Sequence, residues 1–318
     1  MQCLNSAFQF SSAQNFEWIV VDNQSVDNSK TLITQAFPAV KWISMNYNAG
    51  FARANNEGIK QSKNNIVLLL NPDTIILDDA IQKCFDIFSV SQNIAAAVQL
   101  QDRFSQPQIT GNFFMKGGLN HLLPLPYLGK ILRQIAFLFK AKKTNVLQAS
   151  QEQNVDWISG AFMMVKKTAI EKAGMFDEDF FLYSEEIEWC SRLKKAGNIV
   201  VYGNLKTIHL EGETINKETA ANTTGYFDLI GRKGLQLMVS HHVRVRKQFG
   251  KAWFLFHLFM HTIEIPVYSL CALFDNLFHG RNPLRDLHKV ESYTDNVMKL
   301  WKLFSKIWRN KPYFYKMM

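Results

Sequence analysis

The chain has 318 residues, 47% of them hydrophobic and 20% charged, with a formal net charge of +9. This excludes a disordered or fibrous chain and leaves one large domain with an appendage, or two domains. The basic balance points to nucleic acid, an anionic membrane surface or phosphorylated substrates as partners. Cys3, Cys84, Cys190 and Cys271 are scattered and form no CxxC pair, so neither a zinc site nor a disulfide framework is indicated, and a reducing cytoplasm fits. Residues 1–15 lack the basic start and long apolar run of a signal peptide.

In chain order, EWIVVD (Glu17 to Asp22) is a short apolar run ending in an acid and a turn, which predicts a buried strand. VDNSKTLITQAF predicts a helix with Asp27 or Asn28 near its cap, VKWISM a second strand, and GFARANNEGIKQSK, from Gly50, a second helix. NIVLLL predicts a third strand, stopped by Asn71-Pro72-Asp73, and LDDAIQKCFDIF a third helix. This alternation implies an α/β chain with a doubly wound, mostly parallel sheet and helices on both faces. Ligands bind such sheets at the carboxyl ends of the strands, where Asp22 and Asp73 fall.

From about Gln101 to Gln153 the pattern loosens into an inserted loop and an amphipathic, basic surface helix. VDWISGAFMMVKK predicts a strand with a glycine interruption. SEEIEWCSRLKKAG predicts a helix of three turns, with Ser184 available as N-cap and Gly197 as C-cap. NIVVYG predicts another strand, with His209 in the loop beyond it. After about Tyr226 the composition turns basic and then, over Ala252 to Phe274, almost wholly apolar, with Glu264 the one charge. His257, His261 and Glu264 lie four and three residues apart and so share one helical face, yet they lack a third ligand that would make the histidines a metal site.

Four stretches, in this order over roughly 200 residues, resemble the inverting GT-A glycosyltransferases of family 2, above all their rhamnosyltransferase-like members. They are VVDNQSVDNS; NYNAGFARANNEGI with LLLNPDT after it; VDWISGAFMMVKK followed by GMFDEDFFLYSEEIEWCSRLKKAG; and IHLEGET around His209. Each is weak alone, and the order and spacing are what is specific. The resemblance implies a GT-A catalytic domain over residues 1–225 and a helical, membrane-associated region over 226–318. It also implies transfer of a sugar, rhamnose being one candidate, from a nucleoside-diphosphate donor to a lipid-linked saccharide, with Mg²⁺ or Mn²⁺ as cofactor and no nucleic-acid partner.

The same resemblance assigns roles to residues. Asp73 matches the metal-binding acid, with Asn71 in place of that motif's first acid; the plainer reading of Asp73 is a turn cap. Asp22 matches the acid that holds the base or ribose, against an Asx-turn with Ser25. Asn48 and Gly50 fit a loop that brings backbone to the nucleotide. Arg53 and Asn55 either add contacts or face solvent. His209 matches a histidine beside the diphosphate and metal, against a structural histidine. Trp157 and Gly160 sit where the family lines the acceptor and donor-sugar site, although Trp157 reads equally as a core residue. Inversion needs one base to take the acceptor proton, and the family's acidic pair falls on Glu185-Glu186, with Glu186 as base. The bland alternative is that Glu185, Glu186 and Glu188 are simply acids at a helix start.

Two departures stand out. Glutamates replace the family's aspartates at positions 186 and 188. CLNSAF resembles the helix that follows the family's first strand, so that strand is expected to be missing, and the competing reading is a non-catalytic, degenerate transferase serving as a binding or assembly partner. For the tail, an in-plane helix on the inner face of the cytoplasmic membrane, with Arg244, Arg246 and Lys247 meeting anionic lipid, stands against a transmembrane span and a protein interface. The oligomeric state is left open.

Overall fold

The computed structural model describes residues 1–210 and 228–318. Helix α1 (Gln2–Phe8) and a 3-10 turn (Ser11–Asn15) open the chain. Then come β1 (Ile19–Asp22), α2 (Ser29–Ala36), β2 (Lys41–Ser44), α3 (Gly50–Gln61) and β3 (Ile66–Leu70), following the predicted alternation. β4 (Thr74–Ile76), α4 (Ala80–Val90), β5 (Ala95–Gln101) and the short β6 (Gly111–Asn112) follow. A second 3-10 turn (Lys116–Leu122) and α5 (Leu128–Leu138) lead to β7 (Asn145–Val146), β8 (Glu152–Val155), β9 (Trp157–Ile158) and β10 (Phe162–Lys166). Next are α6 (Lys167–Ala173), α7 (Glu185–Leu193) and β11 (Ile199–His209). Four helices end the chain: α8 (Gly231–Phe249), α9 (Lys251–Phe278), α10 (Leu287–Lys302) and α11 (Phe304–Arg309).

The chain divides into two compact units. The first holds Met1–Phe114, Thr144–Phe181 and the stretch from Glu185 through residue 210. In it β1 and β2 pair in parallel, and a six-stranded sheet runs in the order β3-β10-β5-β11-β4 with β8 added on β11. Only the β5–β11 pair of that sheet is parallel. The α/β class holds, but the sheet is mixed rather than mostly parallel. The reason is the long segment before β10, which delivers the chain to the carboxyl end of β3, so that Phe162 pairs with Leu70. That reversal sets residues 160 and 161 beside the Asn71-Pro72-Asp73 turn. β5 is buried at every position and centres a core that includes Ile76, Phe88, Leu100, Phe162 and Tyr202.

Three local expectations change. β11 does not stop after NIVVYG: it passes an irregularity between Tyr202 and Lys206 and continues to His209, which therefore ends a strand rather than sitting in a loop. α7 stops at Leu193, four residues short of Gly197, where Lys194 turns away to donate to Val155 O at 2.7 Å. Ser184 does not cap α7: its φ of 67° is left-handed, whereas a capping residue is extended, and its buried Oγ has no hydrogen-bond partner.

The second unit holds Met115–Lys143, Leu182–Ser184 and described residues 228–318. Its core gathers Leu122, Leu125, Leu237, Met238, Tyr293 and Val297. α9 is 28 residues long and, by length and composition only, apolar enough to cross a membrane. His257, His261 and Glu264 share one face of it, as their spacing predicts, and that face is buried. The expectation that Arg244 meets lipid is overturned. Arg244 is 1% exposed; its guanidinium bonds the His121 imidazole and Gln248 Oε1 and lies over the Phe249 ring.

Candidate active site

The loops after β1 and β2 clasp one another through side chains. Asn23 Oδ1 accepts from the Ala49 amide at 2.7 Å, Asn23 Nδ2 donates to Asn48 Oδ1 at 2.9 Å, and Gln24 Oε1 accepts from the Asn48 amide at 2.8 Å. Asp22 Oδ1 accepts from the Ser25 amide at 3.0 Å, so the Asx-type turn forms. Asn48 Oδ1 also accepts from the Gly50 amide at 3.2 Å. Gly50 starts α3 with φ +72°, and a β-carbon there would lie 2.2 Å from Phe181 O. The close backbone approach that this glycine permits is therefore to the Phe180-Phe181 segment leading into the acidic motif. Gly50→Ala is expected to lose at least about 2 kcal/mol of stability, from a left-handed alanine plus a backbone clash; equilibrium denaturation of the first unit reads it.

Asn55 Nδ2 donates to Phe51 O at 2.9 Å, within its own helix, and Arg53 Nε donates to Glu178 O at 3.0 Å. Asn56, which sequence reasoning passed over, does more. It is 1% exposed and bonds Phe176 both ways, accepting from its amide and donating to its carbonyl at 3.0 Å each. Its position on the apolar stripe of α3, between Ala52 and Ile59, was the available signal.

The Asn71-Pro72-Asp73 turn is tightly held. Asn71 O accepts from Thr74 Oγ1 at 2.8 Å, Asn71 N donates to Ala161 O at 3.0 Å, and Leu210 N donates to Asp73 O at 2.9 Å. The pairing of His209 with Thr74 brings the imidazole to the acid: His209 Nε2 is 3.4 Å from Asp73 Oδ1. Both side chains are largely buried, and Asp73 Oδ1 has no hydrogen-bond partner. A buried carboxylate oxygen without a donor is costly unless something else satisfies it. An oxygen and an imidazole nitrogen at one point fit two ligands of a divalent cation such as Mg²⁺ or Mn²⁺. Among the described residues no group of three or more His, Cys, Asp or Glu forms a complete cage. The arrangement thus suits a cation that draws its other ligands from a bound phosphate and water.

The three acids of the opening turn of α7 diverge. Glu188 is taken by Arg192, which bonds both its oxygens at 2.8–3.1 Å and also reaches Met175 O at 2.8 Å; this pair ties α7 to the segment before it. Glu185 is 3% exposed, its Oε2 has no hydrogen-bond partner, and burial, reinforced by the Glu186 charge, pushes its carboxyl well above the usual range. Glu186 is half-buried. A β-carbon on Gly160 would lie 3.9 Å from Glu186 Cβ and 2.9 Å from the Phe51 ring, so Gly160, Phe51 and Glu186 converge. Ala161, next in sequence, holds the Asn71 turn. Trp157 is half-buried in β9, paired with Asn112. Tyr183 and Ser184, immediately before the acids, are both left-handed, with φ of 71° and 67°. Two such residues in succession store strain, which concentrates where a backbone is held for function. Of the IHLEGET motif, Glu211 to Thr214 lie outside the described residues.

Residues 1–172 match the model of glycosyl transferase family 2. The chain belongs to this family. Relatives within or near it include a low-salt glycan biosynthesis hexosyltransferase, Agl10, of Haloferax volcanii, 27% identical over 56% of this chain and 53% of that protein. Another is the N-acetylglucosaminyl-diphospho-decaprenol L-rhamnosyltransferase of Mycobacterium tuberculosis, 24% identical over 65% of this chain and 71% of the relative. Rhamnosyltransferase WbbL of Escherichia coli is 25% identical over 58% and 68%. The chain thus spans about half the length of the archaeal relative. Among solved structures, GalNAc-T7 with UDP, GalNAc and Mn²⁺ superposes with a TM-score of 0.50 at 12% identity, covering 77% of this chain and 45% of that one. At that identity the likeness is one of fold, and the fold is GT-A.

Proposed function

We propose that this chain is a metal-dependent, inverting glycosyltransferase. It takes a sugar from a nucleoside-diphosphate donor, rhamnose being the candidate that the mycobacterial and Escherichia relatives favour, and places it on a lipid-linked saccharide. The observation that carries the reading is the buried Asp73–His209 pair with its unsatisfied carboxylate oxygen, at the carboxyl end of β3 beside the junction of Gly160 and Glu186. Asp73 and His209 would hold the cation, which when bound neutralises the charge that collects on the departing diphosphate. Asp22 and the clasped Asn48 loop support the nucleoside, with Asn55 on the following helix. Trp157 and Gly160 line the sugar side. Glu186 takes the proton of the acceptor hydroxyl, whose oxygen bonds the anomeric carbon as the bond to the diphosphate oxygen breaks on the opposite face. Glu185, buried and with its carboxyl raised by that burial, fixes the turn from which Glu186 projects. The enzyme would work on the inner face of the cytoplasmic membrane. α9 lies in the membrane plane rather than across it, because its His257, His261 and Glu264 face is filled by its own unit.

The test is nucleotide-sugar binding and turnover with and without Mg²⁺ or Mn²⁺. Asp73→Asn is expected to weaken metal-dependent donor binding at least about tenfold, about 1.4 kcal/mol, with the fold intact by circular dichroism. Unchanged donor affinity at saturating metal would remove Asp73 from the cation site. A wild-type chain that binds donor but never turns it over would favour the assembly-partner reading.

A further inference from the structure

We infer that α5 is a second lipid-inserting element of the second unit, beside α9, and that it lies in the plane of an anionic bilayer. This rests on the proposed use of a lipid-linked acceptor. Its root is fixed in protein. The buried carboxylate of Glu264 on α9 accepts from the backbone amides of Tyr127 at 2.7 Å and Leu128 at 3.0 Å, a charged cap on the first turn of α5. Leu128 and Leu132 then pack on the core of the unit, and the Lys130 ammonium sits 4.6 Å above the Tyr127 ring.

Beyond that turn, among the described residues, the opposite side of the helix is left exposed. Ile131 is 48% exposed, Ile135 44%, Phe137 84%, Leu138 75% and Phe139 82%. Five large apolar side chains within nine residues form a patch that soluble surfaces avoid unless it is used. The charge around it says by what. Lys130, Arg133, Lys140, Lys142 and Lys143 lie on or just after α5, and no Asp or Glu occurs anywhere from residue 103 to 151. Lysine is depleted from protein interfaces, whereas aromatic and leucine side chains bordered by lysines are what an interfacial helix offers to acidic headgroups. At 11 residues, α5 is about 16 Å long. It is too short to cross a hydrocarbon core of about 30 Å, so it lies flat. The occupant is therefore the surface of a bilayer containing acidic phospholipid.

The full chain would be sedimented with vesicles of phosphatidylcholine alone and of phosphatidylcholine with phosphatidylglycerol. One variant carries Phe137→Ser, Leu138→Ser and Phe139→Ser. A second carries Lys140→Gln, Lys142→Gln and Lys143→Gln. A control carries Lys63→Gln, Lys172→Gln and Lys195→Gln, which remove the same charge from exposed positions in the first unit. Wild type and control are expected to prefer the anionic vesicles. The serine variant should bind both kinds at least about tenfold more weakly, and the glutamine variant should lose its anionic preference. Serine-variant binding equal to wild type overturns the inference. So does wild-type indifference to vesicles coupled to a dimer that the serine variant dissolves, which would make a second copy the occupant. Transfer to a detergent-dispersed acceptor separates the two readings. If the serine variant keeps it while losing transfer to vesicle-embedded acceptor, α5 serves docking alone. If wild type shows no transfer to either acceptor, the enzymatic reading fails whatever the vesicles show.

Discussion

Glu186→Gln is expected to lower kcat about 10²- to 10⁴-fold, the usual contribution of a general base, while nucleotide-sugar affinity is unchanged because the base acts on the acceptor. Glu185→Gln is expected to cost far less. Glu185 is buried with an unpartnered oxygen, and burial, with the neighbouring Glu186 charge, raises its carboxyl well above the usual range. A glutamine is nearly isosteric with the glutamate and carries no charge to bury, so the effect should be within about 1 kcal/mol. Glu188→Gln would act on stability instead, since it breaks the bonds to Arg192 that tie α7 to Met175. Glu186→Asp shortens the reach by one methylene and should leave partial activity. Single-turnover rates beside equilibrium donor binding make the distinction. If Glu185→Gln abolishes turnover and Glu186→Gln does not, the base is the buried acid. If neither changes the rate, the acids are no more than a helix start.

The alternation of strand and helix up to Leu70 was legible because each element is short, apolar and closed by turn residues, and β1, α2, β2, α3 and β3 all lie where that pattern puts them. β5 was not legible. Its sequence, AAAVQLQ, has three alanines and two glutamines where a strand prefers β-branched residues, and burial on both faces decides its state instead. The direction of β10 was likewise hidden, because it depends on where a long insertion returns the chain. At the site, the motifs named the residues but not their partners. The Asp73–His209 approach arises from the β4–β11 pairing, which a sequence stretch ending at Gly203 does not announce. The Glu188–Arg192 pair was readable as an i, i+4 spacing and was overlooked among three adjacent acids. The left-handed Tyr183 and Ser184 carry no sequence signal, since neither is glycine or asparagine.

The second unit should unfold in mild acid. His121, from the Lys116–Leu122 turn, stacks on His241 of α8 with ring centres 3.8 Å apart and bonds Arg244. His242 of α8 has its ring centre 4.9 Å from that of His261 and 6.1 Å from that of His257, both on α9. Nδ1 of His242 bonds Met238 O at 2.7 Å, but Nε2 is buried without a partner. Tyr293 of α10 bonds His261, and Gly117 O bonds His257. Burial pushes all five imidazoles down; neighbouring histidines add to it for His121, His241, His257 and His261, and Arg244 for the first three of these. Burial alone lowers His242, to about 4 against the hydrogen bond to Met238, and His257 falls to about 3. A depressed histidine stays neutral in the folded state while the unfolded chain takes up a proton below its ordinary value of 6.5. The stability it confers is therefore complete above that value. It is lost as pH falls towards about 4 for His242 and about 3 for His257, at about 1.4 kcal/mol per pH unit for each group. Two such groups withdraw several kcal/mol, against a total of about 5–15 kcal/mol for a typical domain. Glu264 opposes the trend, because burial raises its carboxyl and favours the folded state in acid, but it is one group against five. Tryptophan fluorescence from Trp253, Trp301 and Trp308, recorded against urea at pH 7.5, 6, 5 and 4, reads the effect. His242→Phe keeps a ring in the same packing and removes the titration, so it should flatten the dependence by close to one proton and move the acid midpoint lower. An unaltered midpoint in that variant, or a wild-type chain equally stable across the series, would show that the cluster stays hydrated enough to titrate normally.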